Sequence, residues 1–202
     1  MPASDHRRSD ARANRAGIVT AATDAIASDP RASLDAIARR AGLSRRALYG
    51  HFVDRDALVR EVLATGAARF NVIAEGVDDA DARVALARLA SRLWAEAAHV
   101  QAAAAIALDD AHVAETAAAL APLRRHIDQL VRRGQEAGEL RTDMPAPTLA
   151  RLIEETGRMV VARVDASSRT ARSLAVRAVL GIAGLSWRES DDLMAQHPEL
   201  ED

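Results

Sequence analysis

Cysteine is absent from this 202-residue chain, which excludes disulfides, thiolate nucleophiles and cysteine metal sites. Aromatic residues make up only 2% of it, although hydrophobic residues reach 49%. The apolar content is therefore mostly Ala, Leu, Val and Ile. Ala and Leu lead the helix formers, and sheets draw on the aromatics that are scarce here, so an all-α fold is expected. No apolar run approaches the ~20 residues needed to cross a bilayer. The arginine-rich start has no apolar stretch behind it of the kind a secretory signal carries. A cytoplasmic protein with no membrane partner is expected. Lysine is missing too, so every basic side chain is Arg. A GC-rich coding sequence produces that bias, and no function is read from it.

What is present is unevenly spread. The net charge is −2, yet residues 1–60 hold eleven arginines against seven acids, so this part carries +4 and the remainder −6. That asymmetry suggests a basic module joined to an acidic one.

Start and stop signals divide the basic third into four helices. The first is expected over 11–28, with Ile18, Ala22, Ala25 and Ile26 on one face, until Asp29-Pro30 ends it. Ser33 has N-cap chemistry for a short helix over 34–40. Gly42 is a natural stop, and Ser44 caps another short helix over 45–51. Asp54 opens a longer one to about Asn71, with Leu58, Val59, Val62, Leu63 and Phe70 on its apolar side. Two short helices joined by Ala41-Gly42-Leu43 make the pattern of a helix-turn-helix, although an ordinary helical hairpin has the same spacing.

The stretch from Ser33 to Leu63 resembles the DNA-binding domain of the tetracycline-repressor (TetR) family of bacterial regulators. The resemblance covers roughly residues 12–70. It is most specific at Leu48-Tyr49-Gly50-His51-Phe52 with Arg55 and Leu58, which is similar to the family's Tyr-x-His-Phe-x-x-Lys-x-x-Leu signature. Arg55 stands where lysine is usual, replacing a point charge by a planar fork.

In a helix-turn-helix the start of the second helix meets base edges. Those residues here are Ser44, Arg45 and Arg46, and Arg pairs bidentately with guanine O6 and N7. The resemblance implies that Tyr49, His51 and Arg55 hold phosphates and that Ser33 donates to the DNA backbone. Such contacts supply register and salt-dependent affinity. The cluster Arg7, Arg8, Arg12 and Arg15 is either a minor-groove arm or a solvated tail.

Beyond residue 75, a boundary is expected at the acidic stretch 77–81. Helices are then expected over 82–98, 101–109, 112–137, 147–165 and 169–188, with Pro122 kinking or splitting the third. The segment 135–141, Gln-Glu-Ala-Gly-Glu-Leu-Arg, resembles a linker of the same family's regulatory domains. The domain expectation is a flexible basic arm over 1–10, a helix-turn-helix domain over 11–72, a ligand-sensing and dimerisation bundle over 77–188, and a fraying acidic tail over 189–202. About nine helices result. The last two long helices are the expected homodimer interface, through Leu174, Ala178, Gly181, Gly184 and Leu185, although small residues serve an internal face equally well. Candidate effector contacts are Trp94, His99, Ile106, His126 and Met159, each also explicable as core or surface.

Catalytic readings fare poorly. No two of the six histidines share the i, i+4 spacing of a helical zinc site, and no phosphate loop or nucleophile elbow is present. Neither metal nor cofactor is expected. Three functions remain. The first is an effector-responsive repressor that binds a pseudo-palindromic operator as a homodimer and is released by an apolar or amphipathic small molecule. The second is a small-molecule-binding helical bundle without DNA binding. The third is a helical enzyme.

Overall fold

A computed structural model of the chain describes residues 3–29, 31–40, 42–98 and 112–201, for 3–14 the backbone course alone. Among the described residues stand ten α-helices, one 3-10 turn at Pro198–Leu200 and no strand. The helices are α1 (Ala3–Ser28), α2 (Leu34–Arg40), α3 (Arg45–His51), α4 (Arg55–Glu75), α5 (Ala82–Ala98), α6 (Val113–Ala119), α7 (Ala121–Glu136), α8 (Ala146–Arg163), α9 (Ala171–Ala183) and α10 (Trp187–Gln196). They form two compact units, one of residues 3–67 and 112–116, the other of 68–98 and 117–201.

In the first unit α1 packs on α2, and α2 on α3. Ile18, Ala22, Ala25 and Ile26 of α1 are buried, as are Leu34, Ile37 and Ala38 of α2, Leu48 of α3 and Leu58, Val59 and Val62 of α4. Every cap the sequence proposed is made. Ser33 Oγ accepts from the Ala36 amide, Ser44 Oγ from Ala47 at 3.1 Å, and Asp54 Oδ1 from Ala57 at 2.7 Å. The first helix differs at its start, since it begins at Ala3 and residues 3–10, expected as an arm, are helical. No proline or glycine interrupts that stretch, so nothing there ends a helix.

The second unit is built around α9, which packs on α5, α8 and α10, while α7 packs on α5 and α8. Its main core draws Ala85, Leu86 and Leu89 from α5, Leu123, Ile127, Leu130 and Val131 from α7, and Leu149 and Ile153 from α8. Each large buried side chain contributes ~1.5–3 kcal/mol. Phe70, expected with the first unit, packs against this core together with Ile73 and Ala74. The boundary therefore falls at Ala67, inside α4 and not at 77–81. A helix carries no compositional mark where its apolar face passes from one core to another.

The linker over 135–141 ties several elements together. Gly138 ends α7 in the left-handed region at φ 70°, and the Glu139 and Leu140 amides return to the Gly134 carbonyl. Leu140 plugs the core, Glu139 Oε2 caps α5 by accepting from the Ala82 amide at 2.7 Å, and the Arg141 amide donates to Ala183 at the end of α9. Pro122 splits the expected helix 112–137 into α6 and α7, occupying the first turn of α7 where its missing N–H costs nothing. Asn71 joins the two pieces by donating to the Ala119 carbonyl and accepting from the Leu123 amide.

The C-terminal expectations need correction. The helix expected over 169–188 ends at Ala183, because Gly184 adopts φ 114°. A new helix starts at Trp187, and Ser186 with Glu189 forms a reciprocal capping box. Residues 189–201 do not fray. Leu193, Met194 and Leu200 are buried against Val84, Ala87, Val176 and Leu180. Arg177 pairs with Asp191 and Glu201, and Arg88 with Glu199. The acids of this segment are drawn in by arginines of α5 and α9. The expected helix over 101–109 lies outside the described residues.

Candidate nucleic-acid interface

The turn between α2 and α3 works because Gly42 takes φ 66°, where a side chain would be strained. The Leu43 amide closes onto the Ala38 carbonyl at 2.9 Å. Leu48 and Phe52, both buried, anchor one side of the seven-residue α3. Anchoring that side leaves Ser44, Arg45, Arg46, Tyr49 and Gly50 exposed on the other. The arrangement is a short capped helix bearing two arginines and a tyrosine outward.

The charged residues are not equivalent. Arg45 Nη2 pairs with Asp35 Oδ2 of α2 at 2.6 Å, with side chains 73% and 29% exposed respectively. Asp35 Oδ1 is buried without a hydrogen-bond partner. Arg46 makes no such pair among the described residues. Arg55 is half-buried, and its Nε donates to the Ala32 carbonyl at 3.0 Å, tying α4 to the α1–α2 connection. Its role is structural at that nitrogen, beyond the phosphate contact the resemblance implies. The His51 ring is half-buried at the end of α3.

Sequence reasoning missed a clamp behind the interface. Arg15, grouped with a possible arm, bonds Glu61 of α4 through Nε and Nη2 at 3.3 and 3.2 Å. Its Nη1 donates to the His51 carbonyl at 3.0 Å, and its guanidinium lies 4.4 Å from the Phe52 ring centroid. The only signal in the sequence is that Arg15 lies three residues before Ile18, at the edge of the apolar stripe of α1. The pairing partner 46 residues away carries none.

The effector candidates that fall among the described residues differ in their settings. Trp94 is buried with Val160, Ala171 and Ala175 between α5, α8 and α9, as a core residue. Met159 is 57% exposed on α8. His126 is half-buried, with Nε2 buried and unpartnered. His99 and Ile106 lie outside the described residues. Of the interface candidates, Leu174 is 48% exposed and Gly181 faces open space, while Ala178 packs against the Trp94 cluster. Gly184 instead caps α9, and a Cβ there would meet Arg141 Cβ at 2.7 Å. Leu185 packs inward against two core clusters.

Residues 16–62 match the profile of "Bacterial regulatory proteins, tetR family". Solved structures share the fold over most of the chain. A bacterial regulatory protein of the tetR family from Rhodococcus is 20% identical, covers 86% of this chain and 98% of its own, and superposes with a TM-score of 0.69. The TetR-family transcriptional regulator PfmR from Thermus thermophilus is 19% identical over 84% and 95%, with a TM-score of 0.68. The transcriptional regulator FadR from Bacillus subtilis, solved in complex with stearoyl-CoA, is 16% identical over 83% and 97%, with a TM-score of 0.70. No curated protein matches the chain in a sequence comparison.

Proposed function

Because residues 16–62 form a helix-turn-helix segment of the tetR family of bacterial regulatory proteins, on a chain with the fold of that family's solved members, we propose that this protein is an operator-binding transcriptional repressor. The observation that carries the reading is α3, a short helix capped by Ser44 that turns Arg45, Arg46 and Tyr49 outward from a core anchored by Leu48 and Phe52. Arginine on a groove-sized helix reads guanine edges, while Tyr49, His51 and the neighbouring cations supply phosphate contacts. Selection of bound fragments from total genomic DNA tests this. A recurring palindromic sequence is expected, with half-sites related by about one helical turn or a multiple. Recovery of fragments with no common sequence would defeat it.

The functional unit is a two-fold homodimer, since one short helix spans too few base pairs for useful specificity. Each of the two helices proposed for the interface leaves a small or apolar row exposed at heptad spacing. Leu152 and Met159 form the row on α8, Leu174 and Gly181 the one on α9. Leu174→Arg should yield a monomer of 21.6 kDa by light scattering, and an unchanged dimer would exclude α9 from the interface.

Release is assigned to an apolar or amphipathic effector of the second unit. The aliphatic composition of that unit supports this, and stearoyl-CoA bound to the Bacillus subtilis relative has the same character. A coupling of ~1–3 kcal/mol between effector and operator is the usual size. Operator affinity that no acyl-CoA or apolar metabolite changes would leave a constitutive DNA binder.

A further inference from the structure

Two consecutive arginines open α3, and their surroundings differ in a way that bears on which one reads sequence. Arg45 reaches back to α2, where Asp35 Oδ2 holds its Nη2 at 2.6 Å. Arg46 has no ion-pair partner among the described residues, and the position one turn on, Gly50, offers only open space to a side chain. One guanidinium therefore has a charged partner on α2 before DNA arrives and the other has none among the described residues.

The pair is a poor stabilising device. With Arg45 73% exposed, solvent screening leaves little net gain. Meanwhile Asp35 keeps its other oxygen, Oδ1, buried with no hydrogen-bond partner, which works against folding. A carboxylate at that place also repels phosphate, so it lowers affinity for DNA of any sequence. What it does favour is direction. Bidentate recognition of guanine requires the guanidinium to be placed, and the ion pair with Asp35 draws the Nη2 end of Arg45 toward α2. The adjacent negative charge makes a phosphate a worse partner for Arg45 than a neutral base edge.

Resting on the operator-binding reading, we propose that Asp35 is a specificity-determining positioning residue, which dedicates Arg45 to a guanine and leaves Arg46 to the phosphate backbone. Asp35 itself need not touch DNA.

The test compares the wild-type protein with Asp35→Ala, Asp35→Asn, Arg45→Ala, Arg46→Ala and the double variant of Asp35→Ala with Arg45→Ala. Each is selected against a randomised duplex library and then titrated on the wild-type consensus and on a scrambled duplex. Circular dichroism and thermal melting establish that each variant folds. Arg45→Ala and Asp35→Ala should lose preference at the same base pair. The double variant should be no worse there than Arg45→Ala alone. Asp35→Ala should bind the scrambled duplex as well as wild type or better, and Asp35→Asn should fall between. Arg46→Ala should weaken both duplexes alike and reduce the slope of log K against log salt by about one. If wild type enriches a consensus while Asp35→Ala keeps full preference at the Arg45-dependent base pair, the positioning role is overturned and operator binding stands. Additive losses in the double variant also overturn it. If wild type enriches no sequence, the operator reading fails and this inference with it.

Discussion

Replacing Arg15 by alanine separates a structural clamp from a DNA-binding arm. The side chain joins three elements at once: Glu61 of α4 through two nitrogens, the His51 carbonyl at the end of α3, and the Phe52 ring. Arg15 and Glu61 are 40% and 41% exposed, so after screening their ion pair contributes ~0.5 kcal/mol. The charged donor to a carbonyl adds ~1–1.5 kcal/mol, and the cation over the ring ~0.5–1 kcal/mol. All of these depend on one side chain, so they are not independent, and a loss of ~2 kcal/mol is expected for Arg15→Ala. Urea unfolding should show it as a midpoint lower by about 1 M, measured at one fixed protein concentration because any self-association makes the midpoint concentration-dependent. Arg15→Lys should recover part of the loss, because the charge remains while the two-nitrogen contact and the flat ring stacking do not. Operator affinity of the folded variant should fall only modestly, through the position of α3. An unchanged midpoint combined with a large loss of DNA affinity would refute the clamp and restore the arm.

Three further changes probe the second unit. Gly184→Ala puts a Cβ 2.7 Å from Arg141 Cβ at a φ of 114°, and should destabilise by ~2 kcal/mol or more, read as a lower melting temperature; a wild-type melt would show that the helix end can shift freely. Leu200→Ala should cost ~2–4 kcal/mol because Leu200 is 1% exposed, whereas a frayed tail would register almost nothing. The Ser186 hydroxyl and amide hold the Glu189 carboxyl below its ordinary value of 4.5. A lowered folded value means stabilisation present above the unfolded pKa and lost as pH falls through the folded one. Glu189→Gln should therefore be less stable than wild type at neutral pH and match it in acid below the glutamate range. A gap that persists unchanged in acid would mean that the capping box does not depend on the carboxylate.

Much of the helical layout was legible because its signals are local. Ser33, Ser44 and Asp54 cap their own helices, and Gly42 ends α2 by a conformation that it alone adopts without strain. Pro122 split a helix for the same reason, its missing N–H being harmless only in a first turn. The candidate interface was legible to the same extent: α3 is short, capped and signature-bearing, so its outward residues follow from the burial of Leu48 and Phe52. The C-terminal misreading had a local remedy, since Ser186 and Glu189 stand at capping-box spacing. The weight of acids concealed it.

Composition and periodicity thus determined the all-helical class, the element order and the residues that α3 exposes, because each follows from interactions within one turn or one helix face. Tertiary structure decided the rest. It showed that Arg15 clamps instead of reaching outward, that Asp35 pairs with Arg45 and not Arg46, that Phe70 belongs to the second core, and that Glu199 and Glu201 are drawn to Arg88 and Arg177. Each of these depends on a partner from another element, distant in sequence. An arginine or a glutamate looks the same in sequence whether it meets water or a partner, and only the packing of helices brings the two charges within reach.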